Sequence, residues 1–256
     1  MILLAADQPS LMHRLVPDQP YEEGPIRTLV LDPGHGGRDP GAVGKRNYEK
    51  TVTLGVARKI RELSAQHMPE VRVVLTRDKD VFIPLHRRGG IALQHKGQFF
   101  ISIHCNGSES HSKYGAEAYV LGVNPGQESY ATIIAENEAI LFEENYEDVY
   151  GDINPSSPEG FIYFHLLKDV FRNESTRLAR KIQDRLIALG RVDRGVKQAP
   201  FVVLYVSGMP AVLMEIGFIT NPEEEQYLAS DSGQYQIARA VMEAVREYNR
   251  EFERNR

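Results

Sequence analysis

His35, Glu49, His104 and Glu215 are the residues of this sequence whose types and settings could do chemistry together. His35 comes just after the apolar run Thr28-Leu29-Val30-Leu31 and the turn Asp32-Pro33-Gly34. His104 directly follows Phe99-Phe100-Ile101-Ser102-Ile103, and Glu215 ends the run from Pro210 to Met214. Each run reads as a buried strand, and in open α/β sheets ligands bind beyond the carboxyl ends of strands. Three separate segments therefore deliver a His, a His and a Glu to one sheet edge. Glu49, opening a helix after the glycine-rich turn Gly34-His35-Gly36-Gly37, reaches the same edge. Two imidazoles and one carboxylate form a catalytic zinc set that leaves a fourth position for water. A further carboxylate is what hydrolysis then requires, because coordination lowers the pKa of water from about 15.7 toward about 7. Singly, His35 also suits a turn, His104 a core position, and Glu49 the positive end of a helix. Glu215 is harder to explain blandly: after Val212-Leu213-Met214 in a buried strand, an unpaired carboxylate is costly.

The elements that must position these groups follow from periodicity. Val52, Val56, Ile60 and Leu63 predict a helix over 49–65, and Ile237, Val241, Val245 and Tyr248 predict a closing helix over about 233–252. Strands are expected at 28–31, 71–75, 99–103, 116–121, 201–206 and 210–215. Further helical patterns fall at about 84–95, 127–149, 159–169 and 173–189, with a loop at Asn154-Pro155-Ser156-Ser157-Pro158. Alternating strands and helices predict an α/β fold, a mostly parallel twisted sheet with helices on both faces. Residues 1–25, with Pro9, Pro17, Pro20 and Pro25, read as an extended N-terminal arm, and 26–256 as one catalytic domain.

Composition excludes several classes. The 256 residues carry a formal net charge of -5 with no basic run, which argues against a nucleic-acid partner. The single cysteine, Cys105, forms no intramolecular disulfide, and no apolar run of eighteen residues could span a membrane. The opening Met1 to Ala6 lacks a basic leader, and its apolar stretch is short for an export signal. No Gly-Lys-Ser/Thr follows the glycine-rich turn, so a nucleotide site is not expected. His13, His67, His86, His95, His111 and His165 read as surface or packing residues.

The motifs Leu31-Asp32-Pro33-Gly34-His35-Gly36-Gly37, Glu49-Lys50, Ser102-Ile103-His104-Cys105-Asn106 and Glu215-Ile216-Gly217-Phe218-Ile219-Thr220-Asn221 resemble those of the zinc-dependent family-3 N-acetylmuramoyl-L-alanine amidases. Thr76-Arg77-Asp78 and Arg194-Gly195-Val196-Lys197 match as well, so the resemblance runs from about Arg27 to Tyr248. It implies His35, Glu49 and His104 as zinc ligands and Glu215 as the catalytic carboxylate. The implied substrate is the amide between N-acetylmuramic acid and L-alanine of peptidoglycan, cut in wall remodelling or daughter-cell separation. It implies a periplasmic or extracytoplasmic location. Ser102 and Asn106 are expected to orient the ligands, and Arg77 to meet a substrate carboxylate. The competing expectations are a zinc peptidase acting on free peptides and a wall-binding module with an unused metal site.

Residues 124–172 look like an insertion into the minimal family pattern, with an acidic helix carrying Glu128, Glu136, Glu138, Glu143, Glu144, Glu147 and Asp148. The segment resembles the helix that blocks the site in cell-division amidases, where a glutamate takes the open zinc position. That resemblance implies Glu136 as the blocking residue, with Glu138 the nearest alternative, and an activator protein that displaces the helix.

Overall fold

The structure, a computed structural model, describes residues 23–144, 150 and 158–254. Most of the expected N-terminal arm and part of the 124–172 insertion, including the 154–157 loop, lie outside them. Six strands form one sheet: β1 (Thr28–Pro33), β2 (Arg72–Leu75), β3 (Phe99–Asn106), β4 (Ala116–Leu121), β5 (Asp193–Ala199) and β6 (Ala211–Phe218), in the order β2-β1-β3-β6-β4-β5. Four of the five pairings are parallel; β4 runs antiparallel to β6, so the β4-β5 edge is reversed relative to the rest.

Strands that are apolar on both faces must be covered on both. Leu29, Leu31, Ile101, Ile103, Val212 and Met214 pack under α1 (Glu49–His67), α4 (Pro158–Ala188) and α7 (Asp231–Arg254), through Val52, Val56, Leu178, Ile182, Ile237 and Val241. The alternate residues Val30, Phe100, Tyr119 and Leu213 face the other way. They meet α2 (Leu85–Gln94), the short α5 (Val202–Tyr205) and the inserted segment, through Leu85, Ala92, Leu204, Ile133 and Ala139. Side chains alternate along a strand. Asp32, Ser102, His104, Glu117 and Glu215 therefore share this second face, as the register pairs Asp32 with Ser102, His104 with Glu215, and Glu117 with Glu215.

Several elements differ from expectation. Where a strand was expected over 201–206 the chain forms α5 (Val202–Tyr205); the strand is Asp193–Ala199, whose Arg, Lys and Gln side chains suit the half-exposed edge it occupies. The patterns at 159–169 and 173–189 belong to one continuous helix, α4. The 127–149 pattern is broken into a 3-10 turn (Gln127–Ser129), α3 (Tyr130–Asn137) and a second 3-10 turn (Glu138–Phe142), with 145–149 outside the described residues. α6 (Pro222–Ala229) was not expected, although Asn221 caps it by accepting from the Glu223 and Glu224 backbone N–H groups.

Candidate metal centre and catalytic site

His35 sits just past β1 in a turn with φ 60°, a left-handed conformation uncommon outside glycine. The turn is shaped around the two imidazoles. A Cβ at Gly34 would lie 2.3 Å from the His104 ring, and one at Gly41 (φ +67°) 2.5 Å from His35 and 2.6 Å from Glu49. Glu49 opens α1 fully buried, and its two oxygens accept from the backbone N–H groups of Ala42 and Cys105, both at 2.7 Å. His104 comes in from β3, and Glu136 from α3.

These four groups converge. His35 Nε2 lies 3.2 Å from His104 Nδ1, 3.1 Å from Glu49 Oε2 and 3.4 Å from Glu136 Oε2. His104 Nδ1 lies 3.1 Å from Glu49 Oε1 and 2.7 Å from Glu136 Oε2. For zinc bonds of about 2.0–2.1 Å, the ligand atoms of a tetrahedral site stand about 3.3 Å apart, close to these separations. Glu136 Oε2 is buried and makes no well-angled hydrogen bond despite its 2.7 Å approach to His104, so both atoms aim at a shared point. The donor set of two nitrogens and two carboxylates, all within 4.8 Å, fits a divalent cation.

Electrostatics describes the same crowding. Burial pulls the His104 pKa down, but Glu136 and then Glu49 more than reverse this and raise it to about 10. Burial likewise opposes the charge on His35, and Glu49, Glu136 and Asp39 hold its pKa well above the usual value. Metal ligation takes imidazole in its neutral form, so binding a cation here releases protons. His35 Nδ1 contacts Asp39 Oδ2 at 2.8 Å, which fixes the ring and leaves Nε2 facing the other ligands.

Glu215 is fully buried opposite His104 in the sheet register, and neither of its oxygens has a hydrogen-bond partner among the described residues. Burial, with Glu136 next, pushes its pKa well above the usual carboxylate range, while His104 opposes them.

The other expected site residues serve different partners. Ser102 lies 2.8 Å from Asp32 Oδ2, and Asp32 is paired with Arg88 at 2.8 Å. The Asn106 side chain bridges Glu117 and Thr132 instead of hydrogen-bonding to His35, Glu49 or His104. Arg77 is 2% exposed and donates to the carbonyls of Pro33, Gly34, Lys50 and Lys79, so it pins the His35 turn instead of facing the cleft. Glu138 is absent from the cluster, which takes Glu136. Asp39 and Glu117 escaped the sequence reading, although Asp39 lies four residues after His35 and Glu117 is a charge between two buried alanines.

The sequence profile of the N-acetylmuramoyl-L-alanine amidases matches residues 29–247. The chain belongs to this family. Amidase AmiA of Escherichia coli K12 is 34% identical over 89% of the chain and 78% of its own length. Amidase AmiC of Escherichia coli O6:H1 is 30% identical over 90% of the chain, which spans only 55% of that relative. Among solved structures, an amidase from Clostridium difficile 630 is similar at a TM-score of 0.64 with 26% identity, covering 87% of this chain and 96% of that one. AmiC2 of Nostoc punctiforme gives 0.63 with 27% identity, over 89% and 99%. The amidase sheet thus carries a cluster fit for a divalent cation at the ends of its parallel strands. Among the described residues no helix is long and apolar enough to cross a membrane.

Proposed function

We propose that this chain hydrolyses the amide between the lactyl group of N-acetylmuramic acid and L-alanine in peptidoglycan, with His35, Glu49 and His104 holding Zn²⁺. The observation that carries the proposal is the convergence of these side chains beside a buried, unpartnered Glu215. Bound zinc would supply Lewis acidity toward a carbonyl and a more acidic water. Glu215 takes the water's proton as it attacks the amide carbon and passes it to the departing L-alanine nitrogen as the C–N bond breaks. Asp39 keeps His35 in the ligating tautomer, and the Ala42 and Cys105 amides keep Glu49 from turning away.

Glu136 stands where water and substrate must enter. Its proximity to both imidazoles supports a resting state in which α3 closes the site, and a partner protein that draws α3 away would activate it. Departure of Glu136 would do two things: free a position beside the imidazoles, and remove a negative charge that, after burial, raises the Glu215 pKa. The substrate lies outside the cytoplasmic membrane, so we place the chain there.

Digestion of purified peptidoglycan, followed by analysis of new amino termini, tests the reaction. Free L-alanine amino groups on released stem peptides are the expected product. New amino termini only at peptide-internal positions would instead identify a peptidase.

A further inference from the structure

Glu128, Thr132 and Glu136 recur every fourth residue through the inserted segment and so fall on one face of it. Each meets a different group of the cleft. Glu136 Oε2 lies 2.7 Å from His104 Nδ1, the Thr132 hydroxyl donates to Asn106 Oδ1 at 2.8 Å, and Glu128 Oε1 lies 2.9 Å from Lys197 Nζ. At about 1.5 Å per residue Glu128 and Glu136 stand about 12 Å apart along the segment.

The cleft side of these contacts is built independently of the segment. Asn106 Nδ2 donates to Glu117 Oε1 at 2.8 Å, which fixes the amide so that Oδ1 is left to accept. Glu117, itself buried, takes both Lys197 at 2.7 Å and Arg194 at 3.3 Å on Oε2. Two cations on one carboxylate leave one positive charge in surplus, and among the described residues the exposed Glu128 answers it.

We propose that the segment copies the substrate it excludes: Lys197 anchors a carboxylate of the peptide about two helical turns along the cleft from the cation site, and Asn106 Oδ1 accepts an N–H of the peptide between the two. This deepens the amidase reading and rests on it. Lys197 and Asn106 set which peptides bind productively and take no part in breaking the bond. A substrate chain leaving the scissile amide along the cleft meets the same acceptor and the same cation in the same order.

The test uses the full chain carrying Glu136→Ala, loaded with zinc. It is given two soluble muramyl peptides, one with free stem-peptide carboxylates and one with those carboxylates amidated. Lys197→Met should raise KM for the free-carboxylate substrate about tenfold, leave kcat alone and barely affect the amidated substrate. Lys197→Arg should restore most of the loss. Glu128→Gln, an exposed position that carries little folding risk, should lower KM for the acidic substrate about threefold by removing the competing carboxylate. Equal KM changes for both substrates, or no change with Glu128→Gln, would overturn this assignment while leaving the amidase reading intact. Release of no amino terminus from either substrate by the Glu136→Ala chain would overturn the amidase reading, and this inference with it.

Discussion

Glu215 and Asp39 divide the residue-scale chemistry between them. Glu215 makes no side-chain hydrogen bond among the described residues, so its removal should leave the cation site whole. Glu215→Gln is expected to keep metal content unchanged and to lower turnover about 10³-fold, within the usual range for a general acid-base group. Equal loss of metal and activity in that variant would instead make Glu215 a ligand. Asp39 acts through His35, and Asp39→Ala should weaken metal affinity about 10–100-fold in a chelator competition. His35, Glu49, His104 and Glu215 were legible as a group because each follows or ends an apolar run or opens a helix, although β3 and β6 continue past His104 and Glu215 to Asn106 and Phe218 instead of ending there. Asp39 was not, since a carboxylate in a glycine-rich loop announces no partner until the loop's turn is known.

At the scale of elements, the inserted segment and the strand ends behave differently. β1, β3 and β6 are apolar on both faces and were readable as buried strands, whereas the shared face of Asp32, Ser102, His104 and Glu215 emerges only from the register of the sheet. β5 was missed because an edge strand with Arg194, Lys197 and Gln198 lacks an apolar signal, and α5 was misread because Val202 to Tyr205 are β-prone residues in a helical turn. The inserted segment was recognisable as helical, but its division into a 3-10 turn, α3 and a second 3-10 turn depends on where it docks. α3 offers Ile133 to the core and leaves Tyr130 and Ile134 about half exposed, so little apolar burial holds it down. Glu136→Ala should therefore raise basal activity on purified peptidoglycan, roughly tenfold if closure dominates the resting population. Unchanged activity in a folded, metal-loaded variant would remove α3 from regulation.

Over the whole molecule, Asp32 ties three strands and a helix together beneath the site. It accepts from Thr76 beyond β2, Ser102 of β3 and Arg88 of α2. Burial raises its pKa, but the Arg88 charge and the hydrogen bonds from Thr76, Arg88 and Ser102 outweigh this and hold it below the usual value. A depressed folded pKa contributes stability that is fully present above the unfolded value, about 3.9 for Asp. That contribution is lost as pH falls through the folded value. Asp32→Asn should cost about 3 kcal/mol at pH 7 by leaving Arg88 buried without its partner. The gap between the two urea midpoints should then narrow as the pH drops below about 3.9. A gap independent of pH would mean that Asp32 acts through shape alone.

The proposed zinc ion is shared by three side chains from separate parts of the chain. Zinc stoichiometry by equilibrium dialysis tests this sharing most directly, in the native chain and in variants of each member of the cluster. One tightly held ion per native chain is predicted, with loss of binding in His35→Ala and His104→Ala and retention in Glu215→Gln. A native chain that takes up no zinc, or histidine variants that hold it as tightly, would mean that these side chains do not form a zinc site.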